Sequence, residues 1–260
     1  MHSKYSKEQH LKMNLMAWDE GHRYLAAKRR EDSNWGDEFQ DGGGTFTDTE
    51  IELLGDVSDL DVLQLSCAGD ASQAFSLANL GANVTACDFS SVAIEEAKEN
   101  AIKVGLDVRF VVDDSQRLTN FKEAQFDLVH ADYNLYYYED LLTACHNWHR
   151  VLRAGGRLLL HEMLPLTSLC LEEEKPNGSL RVTRNYGDKT PAYFLFHIGD
   201  FVSERLEEVE FFHTLSDILN AMIQAGFIME KMVERVKENA EESAVGKLPY
   251  DFFVVARKAE

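Results

Sequence analysis

Basic residues are scarce in this chain: 26 lysines and arginines stand against 45 aspartates and glutamates, giving a formal charge of −19. Such a surface repels a polyphosphate backbone unless a local basic patch intervenes, and the densest basic run, Lys28 to Arg30, runs directly into Glu31 and Asp32. Nucleic acid is therefore set aside in favour of a small molecule as partner. Cysteines are few. Cys67, Cys87, Cys145 and Cys170 show no CxxC spacing, and three of them fall in apolar segments where a reduced thiol packs as a small hydrophobe. That pattern argues against a zinc site, so no metal is expected, and it favours a reducing compartment. No apolar run approaches the roughly 20 residues that cross a bilayer, and the opening stretch MHSKYSKEQHLKMNLMAWDE has no apolar leader core. The expectation is a soluble, cytoplasmic protein, monomer or homodimer, with no membrane partner.

Glycine is missing where it would be most informative. The stretch VLQLSCAGDASQAF (62–75) has the outline of a nucleotide-binding turn, a strand entering a small-residue loop and then a helix, yet Gly69 is its one glycine. A dinucleotide site wants G-x-G-x-x-G to cradle a pyrophosphate, with an acid about 20 residues further on to grip a ribose. Asp88 supplies the acid, but the loop does not supply the glycines. A cofactor without phosphate needs only a close backbone approach, for which Ser66, Ala68, Gly69 and Ala71 suffice.

From residue 60 to 162 apolar strands alternate with amphipathic helices, the pattern of βαβ units around a parallel sheet. DVLQLSC, NVTACD, DVRFVVDD, FDLVHAD and RLLLHEM read as the five strands. Helices are expected over 71–80 and 91–104, the second with Glu95 and Glu96 in its first turn. Leu141, Cys145, Trp148 and Leu152 mark one buried stripe of a further helix. Residues 164–212 show little periodicity and read as an insertion. A helix resumes over 214–225, capped by Thr214 and Asp217, with Ile218, Leu219, Met222 and Ile223 on its apolar side. FIMEKMVERV and PYDFFVVARKA, separated by a polar loop, read as a closing antiparallel pair. Residues 1–55 form a separate helical region. The fold expected is thus α/β, Rossmann-like, with a seven-stranded mostly parallel sheet, a terminal antiparallel hairpin, a helical N-terminal cap (1–55), and a main domain (56–260) carrying the insertion 164–212 after its fifth strand.

VVDDSQRL places Asp113 and Asp114 at the end of the third strand. There a carboxylate can accept from an adenine amino group while the Ser115 N–H meets a ring nitrogen; otherwise the pair simply ends a strand in solvent. VLQLSC, VTACDFS, FVVDDSQRL, FDLVHADYN and WHRVLRAGGRLLLHE stand in the order and at about the spacing of the motifs of the class I S-adenosylmethionine-dependent methyltransferases, and the chain resembles their small-molecule branch. The resemblance implies S-adenosyl-L-methionine as cofactor and S-adenosyl-L-homocysteine as product. It puts the methionine-cradling loop on Ser66, Cys67, Ala68 and Gly69, the ribose acid on Asp88 with Phe89 beside the adenine, and the adenine acid on Asp114 with Ser115. The strand-four loop falls on His130 and Ala131. The first motif departs from the family, since Gln64 replaces its acid and Ser66 and Ala68 replace glycines.

Methyl transfer from a sulfonium needs alignment and exclusion of water, and a base only when the nucleophile arrives protonated. Tyr133 and Asn134, with Asp132, are candidates to hold the nucleophile, Tyr136 to Tyr138 to wall the pocket, and His161 is the first candidate base, with His130 and His197 behind it. Two segments outside the sheet are candidates for a lid: the region of Trp18, Tyr24 and DGGGTF, and the insertion around NYGDKTPAYFLFH. The function expected is methyl transfer to an unidentified small molecule. The alternatives are an enzyme that uses the same cofactor without transferring methyl, for instance by cyclising the aminobutyrate arm, and a non-catalytic binding module; a NAD-dependent oxidoreductase is disfavoured by the loop.

Overall fold

The computed structural model describes residues 4–174, 179–236 and 245–260. It opens with a 25-residue helix, α1 (Lys7–Glu31), started by a capping box in which Ser6 and Gln9 satisfy each other's backbone N–H groups. A 3-10 turn (Asp37–Gly42) and a short helix α2 (Asp48–Leu54) follow. Strands β1 (Asp61–Leu65), β2 (Asn83–Asp88), β3 (Arg109–Val112), β4 (Phe126–Asp132) and β5 (Leu152–Met163) then alternate with α3 (Ser72–Asn79), α4 (Ser91–Val104) and, before β5, α5 (Leu141–Val151). After β5 come α6 (Pro165–Cys170), β6 (Leu171–Glu174), β7 (Ser179–Val182), β8 (Ala192–Ile198) and β9 (Phe201–Glu210). Helix α7 (Leu215–Gln224) and strands β10 (Phe227–Val236) and β11 (Pro249–Lys258) complete the described chain.

The main sheet has the order β10-β11-β5-β4-β1-β2-β3, and β11 alone runs antiparallel to its neighbours. Both faces are covered, so its strands read as apolar runs. On one face Leu63, Leu65, Val129 and Phe252 pack with Trp148 of α5 and Met222 of α7. On the other, Val62, Ala86, Leu128 and Phe253 pack with Phe75 of α3 and Ile94 of α4. Each such side chain, when fully buried, contributes about 1.5–3 kcal/mol. The four cysteines are free and buried, as their apolar setting implies. Thr214 and Asp217 do form a capping box on α7.

Four expectations need correction. Residues 164–212 are not irregular: β6 pairs with β7 and β8 with β9 as two antiparallel hairpins. Their period-two signal is weak because β6 and β7 are largely solvent-exposed, and because β8 (AYFLFHI) is apolar or aromatic at every position but His197, so no alternation shows. Glu95 and Glu96 lie past the first turn of α4, which begins at Ser91; Glu96 instead meets α1, where Arg29 donates to its two oxygens at 2.8 and 2.9 Å. Ile223 is exposed rather than on the packed side of α7. The glycines of DGGGTF do not border the main cleft: Gly44 lies so close to α3 that an added Cβ would stand 2.8 Å from the Ser76 hydroxyl. The polar loop expected between β10 and β11 lies mostly outside the described residues.

Helix α1 is tied down along its length. Asn14 donates to the Val209 carbonyl at 2.9 Å and accepts from the Val209 N–H at 2.8 Å, which joins α1 to β9. Aromatic pairs continue this seam: Trp18 lies edge-on to Phe196, and Tyr24 stacks on Phe201. The second hairpin of the insertion therefore backs α1, and α1 in turn covers the carboxyl ends of the strands.

Candidate active site

The carboxyl ends of β1 to β4 open into a cleft of about 390 Å³ whose outer wall is α1. Ser66 and Ala68 line it from the loop after β1, Asp88 and Phe89 from the end of β2, Asp114 and Ser115 from the turn after β3, and Tyr133 and Asn134 from the exit of β4. This is the edge where open α/β sheets place their ligands.

The loop after β1 keeps a glycine-like path without glycines. Ser66 (φ 52°), Ala68 (φ 54°) and Ala71 (φ 49°) all take left-handed conformations, each at a cost of about 1–2 kcal/mol for a residue with a Cβ. Backbone bonds hold that path: the Cys67 N–H donates to the Cys87 carbonyl, and the Ala68 N–H to Asp88 Oδ2 at 3.0 Å. Gly69 is needed for space, because an added Cβ would lie 2.0 Å from Glu96 Oε2 and 3.2 Å from the Arg29 guanidinium. The glycine thus admits the ion pair that anchors α1 over the loop.

Asp88 also accepts from the Ser90 N–H at 2.9 Å. Burial pushes its carboxyl up to about 6 despite these two bonds. Each oxygen keeps lone-pair capacity for a further donor, which fits the two hydroxyls of a ribose. The two aspartates after β3 divide their work. Asp113 is buried and turned into its own loop, accepting from the Asn120 N–H at 2.7 Å and the Thr119 hydroxyl at 3.1 Å. Asp114 lines the cleft, and burial raises its carboxyl.

Cys67, Gly69, His130, Ala131 and His161, all singled out from the sequence, do not line the cleft. Ala131 packs in the core on the α5 side, as its alternation with His130 along β4 requires, and Cys67, past the left-handed Ser66, packs in the core on the α3 side. His130 is fully buried, edge-on to Phe46, with neither ring nitrogen hydrogen-bonded; burial lowers its pKa. His161 lies behind the β4 exit. Its Nδ1 stands 2.7 Å from Asp132 Oδ1, out of line for a good hydrogen bond, and its Nε2 donates to Asp251 Oδ2 at 2.8 Å. Burial opposes its charge, but Asp132 and Asp251 overcome this and raise it to about 9. The ring is thus turned onto two carboxylates and stays out of the cleft lining. Asp251, fully buried, also accepts from Arg235 and, at 2.9 Å, from the Tyr133 hydroxyl. Asp132 in turn accepts from Gln73 Nε2 at 2.7 Å. The network pins the β4 exit, where Tyr133 sits at φ 46°.

On the opposite wall, Trp18 and Tyr136 to Tyr138 are expected from the sequence, but His10, Asn14 and His22 are not. His10, Asn14, Trp18 and His22 recur every fourth residue on α1, and all four line the cleft. That spacing marks one helix face and was available in the sequence. His10 bridges Glu139 and the Tyr193 hydroxyl, both at 2.9 Å. His22 is buried; burial, aided by the charge of Arg29, lowers its pKa to about 4, and its Nδ1 has no partner. Tyr136, Tyr137 and Phe211 continue the wall, with Trp18 edge-on to Tyr137.

A doubly wound sheet closed by one antiparallel strand, with carboxylates after its second and third strands on a shared cleft, defines an enzyme that binds an adenosine-bearing cofactor without a pyrophosphate. Comparison with known proteins agrees. A methyltransferase-domain family model matches residues 63–160. The uncharacterized methyltransferase YbaJ of Bacillus subtilis (strain 168) is 30% identical over 179 residues, 68% of this chain and 69% of that protein. Among solved structures, an S-adenosylmethionine-dependent methyltransferase from Mesorhizobium loti superposes with a TM-score of 0.64 at 19% identity, covering 81% of this chain and 96% of its own. One from Clostridium acetobutylicum ATCC 824 gives 0.57 at 16% identity, covering 92% and 98%. The chain belongs to the class I S-adenosylmethionine-dependent methyltransferases, an enzyme family whose cofactor is S-adenosyl-L-methionine and whose product is S-adenosyl-L-homocysteine.

Proposed function

We propose that the enzyme methylates a small molecule held in the cleft beneath α1. The observation that carries this reading is the wall itself: a helix face spanning His10 to His22 covers the strand ends, and the room beneath it is a cleft of about 390 Å³ rather than an open groove. S-adenosylmethionine supplies a methyl group made electrophilic by its sulfonium. Asp88 would hold the ribose hydroxyls, Asp114 the adenine amino group with the Ser115 N–H beside it, Phe89 the adenine face, and the Ser66 and Ala68 loop the methionine end. Tyr133 and Asn134, at the β4 exit, would meet the acceptor, and Trp18, Tyr136 and Tyr137 would keep water from it. Residues 1–55 act as a cap on the catalytic unit 56–260, and the hairpins within 164–212 brace that cap. The strongly acidic surface favours a small molecule over nucleic acid.

The test uses methyl-labelled S-adenosylmethionine with a cell extract split by size. Label is expected in the small-molecule fraction and to depend on the enzyme. Label in protein or RNA would overturn the choice of acceptor, and label confined to methylthioadenosine would show cyclisation of the aminobutyrate arm instead.

A further inference from the structure

The acceptor end of the cleft is acidic, and its cations are spoken for. Among the described residues that line the cleft as a whole, Lys7 is paired with Asp140 at 3.0 Å, Arg117 with Asp114 at 3.4 Å and His10 with Glu139 at 2.9 Å, while His22 is neutral. Behind the β4 exit, the carboxylates Asp132, Asp251 and Glu50 surround two cations, His161 and Arg235. Behind Tyr137, which donates to Glu208 at 3.3 Å, Glu208 is buried next to Glu210; burial and that neighbour push it up to about 7. Glu162 is buried beside Leu135, whose N–H it accepts, and burial pushes it to about 7 as well. Carboxylates outnumber the cations on and behind this lining, so an anionic ligand is repelled and a cationic one drawn; a bound cation would also pull Glu208 and Glu162, about half protonated near neutral pH, into their charged forms.

A second, independent feature concerns hydrogen bonding. Asn134 lines the cleft with only 2% of its surface exposed, and its side-chain oxygen has no hydrogen-bond partner. A buried amide oxygen left bare costs free energy, and a donor brought by a ligand removes that cost. Tyr136, Tyr137 and Trp18 line the same cleft, aromatic surfaces suited to an alkylated cation.

We propose that the methyl acceptor is an amine. The inference rests on the small-molecule reading above. The amine enters as an ammonium and gives one proton to solvent; its freed lone pair then forms the new N–CH3 bond while the electron pair of the S–CH3 bond stays on sulfur. The sulfonium becomes a neutral thioether and the amine becomes an ammonium, which later gives a proton to water if it carries one. One positive charge thus moves from sulfur to nitrogen inside the cleft, and the acidic surroundings keep a cation to stabilise throughout. A phenolate, carboxylate or thiolate acceptor would enter against the same field and leave it with no cation at all.

The test takes three probes on one skeleton, 2-phenylethylamine, 2-phenylethanol and phenylacetate, titrated calorimetrically into the complex with S-adenosylhomocysteine and assayed for label from methyl-labelled S-adenosylmethionine. The amine is expected to bind at least about tenfold more tightly than either other probe and to be the probe that receives label. In Asn134→Ala the amine should weaken about tenfold with S-adenosylhomocysteine affinity kept within about threefold. Glu208→Gln, a near-isosteric change, should weaken the amine and leave 2-phenylethanol as it was. Equal or tighter binding of phenylacetate or 2-phenylethanol, label on oxygen, or no amine binding at millimolar concentration would overturn the proposal. Label in protein or RNA in the fractionation above would instead remove the small-molecule reading beneath it.

Discussion

The cofactor half and the acceptor half of the cleft are held in place by different means. Around Asp88 and Asp114 the contacts are to backbone of the same or the neighbouring strand end: Asp88 takes the N–H of Ser90 in its own loop and of Ala68 in the loop after β1, and Asp114 that of Gln116. Around Tyr133 and Asn134 they are long-range and between side chains, drawing on Glu50 from α2, His161 from β5, Arg235 from β10 and Asp251 from β11. The first design depends on the sheet alone. The second depends on four further elements meeting, and it leaves unpaired polar atoms at Trp18, His22 and Asn134. A half built from the sheet suits a ligand common to a whole family; a half built from distant elements can be altered without disturbing the fold.

The largest expected effect comes from breaking the second design. Asp251→Ala strips His161, Arg235 and Tyr133 of a shared buried partner and should cost about 3–5 kcal/mol of stability, read as a drop in urea midpoint. Protein that remains folded should bind S-adenosylhomocysteine within about threefold of wild type, because the network touches no residue of the adenosine half.

Next in size is a pH effect at the same network. The pKa of His161, facing Asp132, Asp251 and Glu50 with Arg235 nearby, is raised to about 9 in the folded state. A raised pKa stabilises while the proton is bound, so the contribution is fully present below about pH 6.5 and is lost as pH rises through 9. The loss should approach about 2 kcal/mol between pH 7.5 and 10, measured by denaturant titration, and His161→Gln should show little slope over that range.

The smallest effect lies in the cofactor half. Ala68→Gly relieves a left-handed residue of its Cβ, worth about 1–2 kcal/mol, but frees the unfolded chain by about 0.4–1 kcal/mol. The net gain of roughly 0.5 kcal/mol should appear as a small rise in Tm.

These contrasts also explain what could be read from the sequence. The parallel sheet, the antiparallel last strand, Asp88 and Asp114 were legible because local periodicity places strand ends, and strand ends place those acids. The acceptor half was not, since nothing in HADYN shows that Asp251, more than a hundred positions later, receives the Tyr133 hydroxyl. The surroundings of His161 are illegible for the same reason: its position at a strand end suggests a base, while its partners Asp132 and Asp251 come from other strands. Motif position alone does not show that strand alternation turns Ala131 into the core, or that the left-handed turn at Ser66 does the same for Cys67. The stripe at 10, 14, 18 and 22 was within reach, but a helix that mixes histidine, asparagine and tryptophan on one face looks like a poor core face unless a ligand site is expected beside it.

The most direct measurement is calorimetric binding of S-adenosylhomocysteine to the wild type and to Asp88→Ala. The expected result is specific binding by the wild type and a loss of about 1.5–3 kcal/mol in the variant, roughly ten- to a hundredfold, from the charge-assisted bonds removed. Undiminished affinity in Asp88→Ala, or tighter binding of NADH than of S-adenosylhomocysteine by the wild type, would contradict the assignment of the cleft.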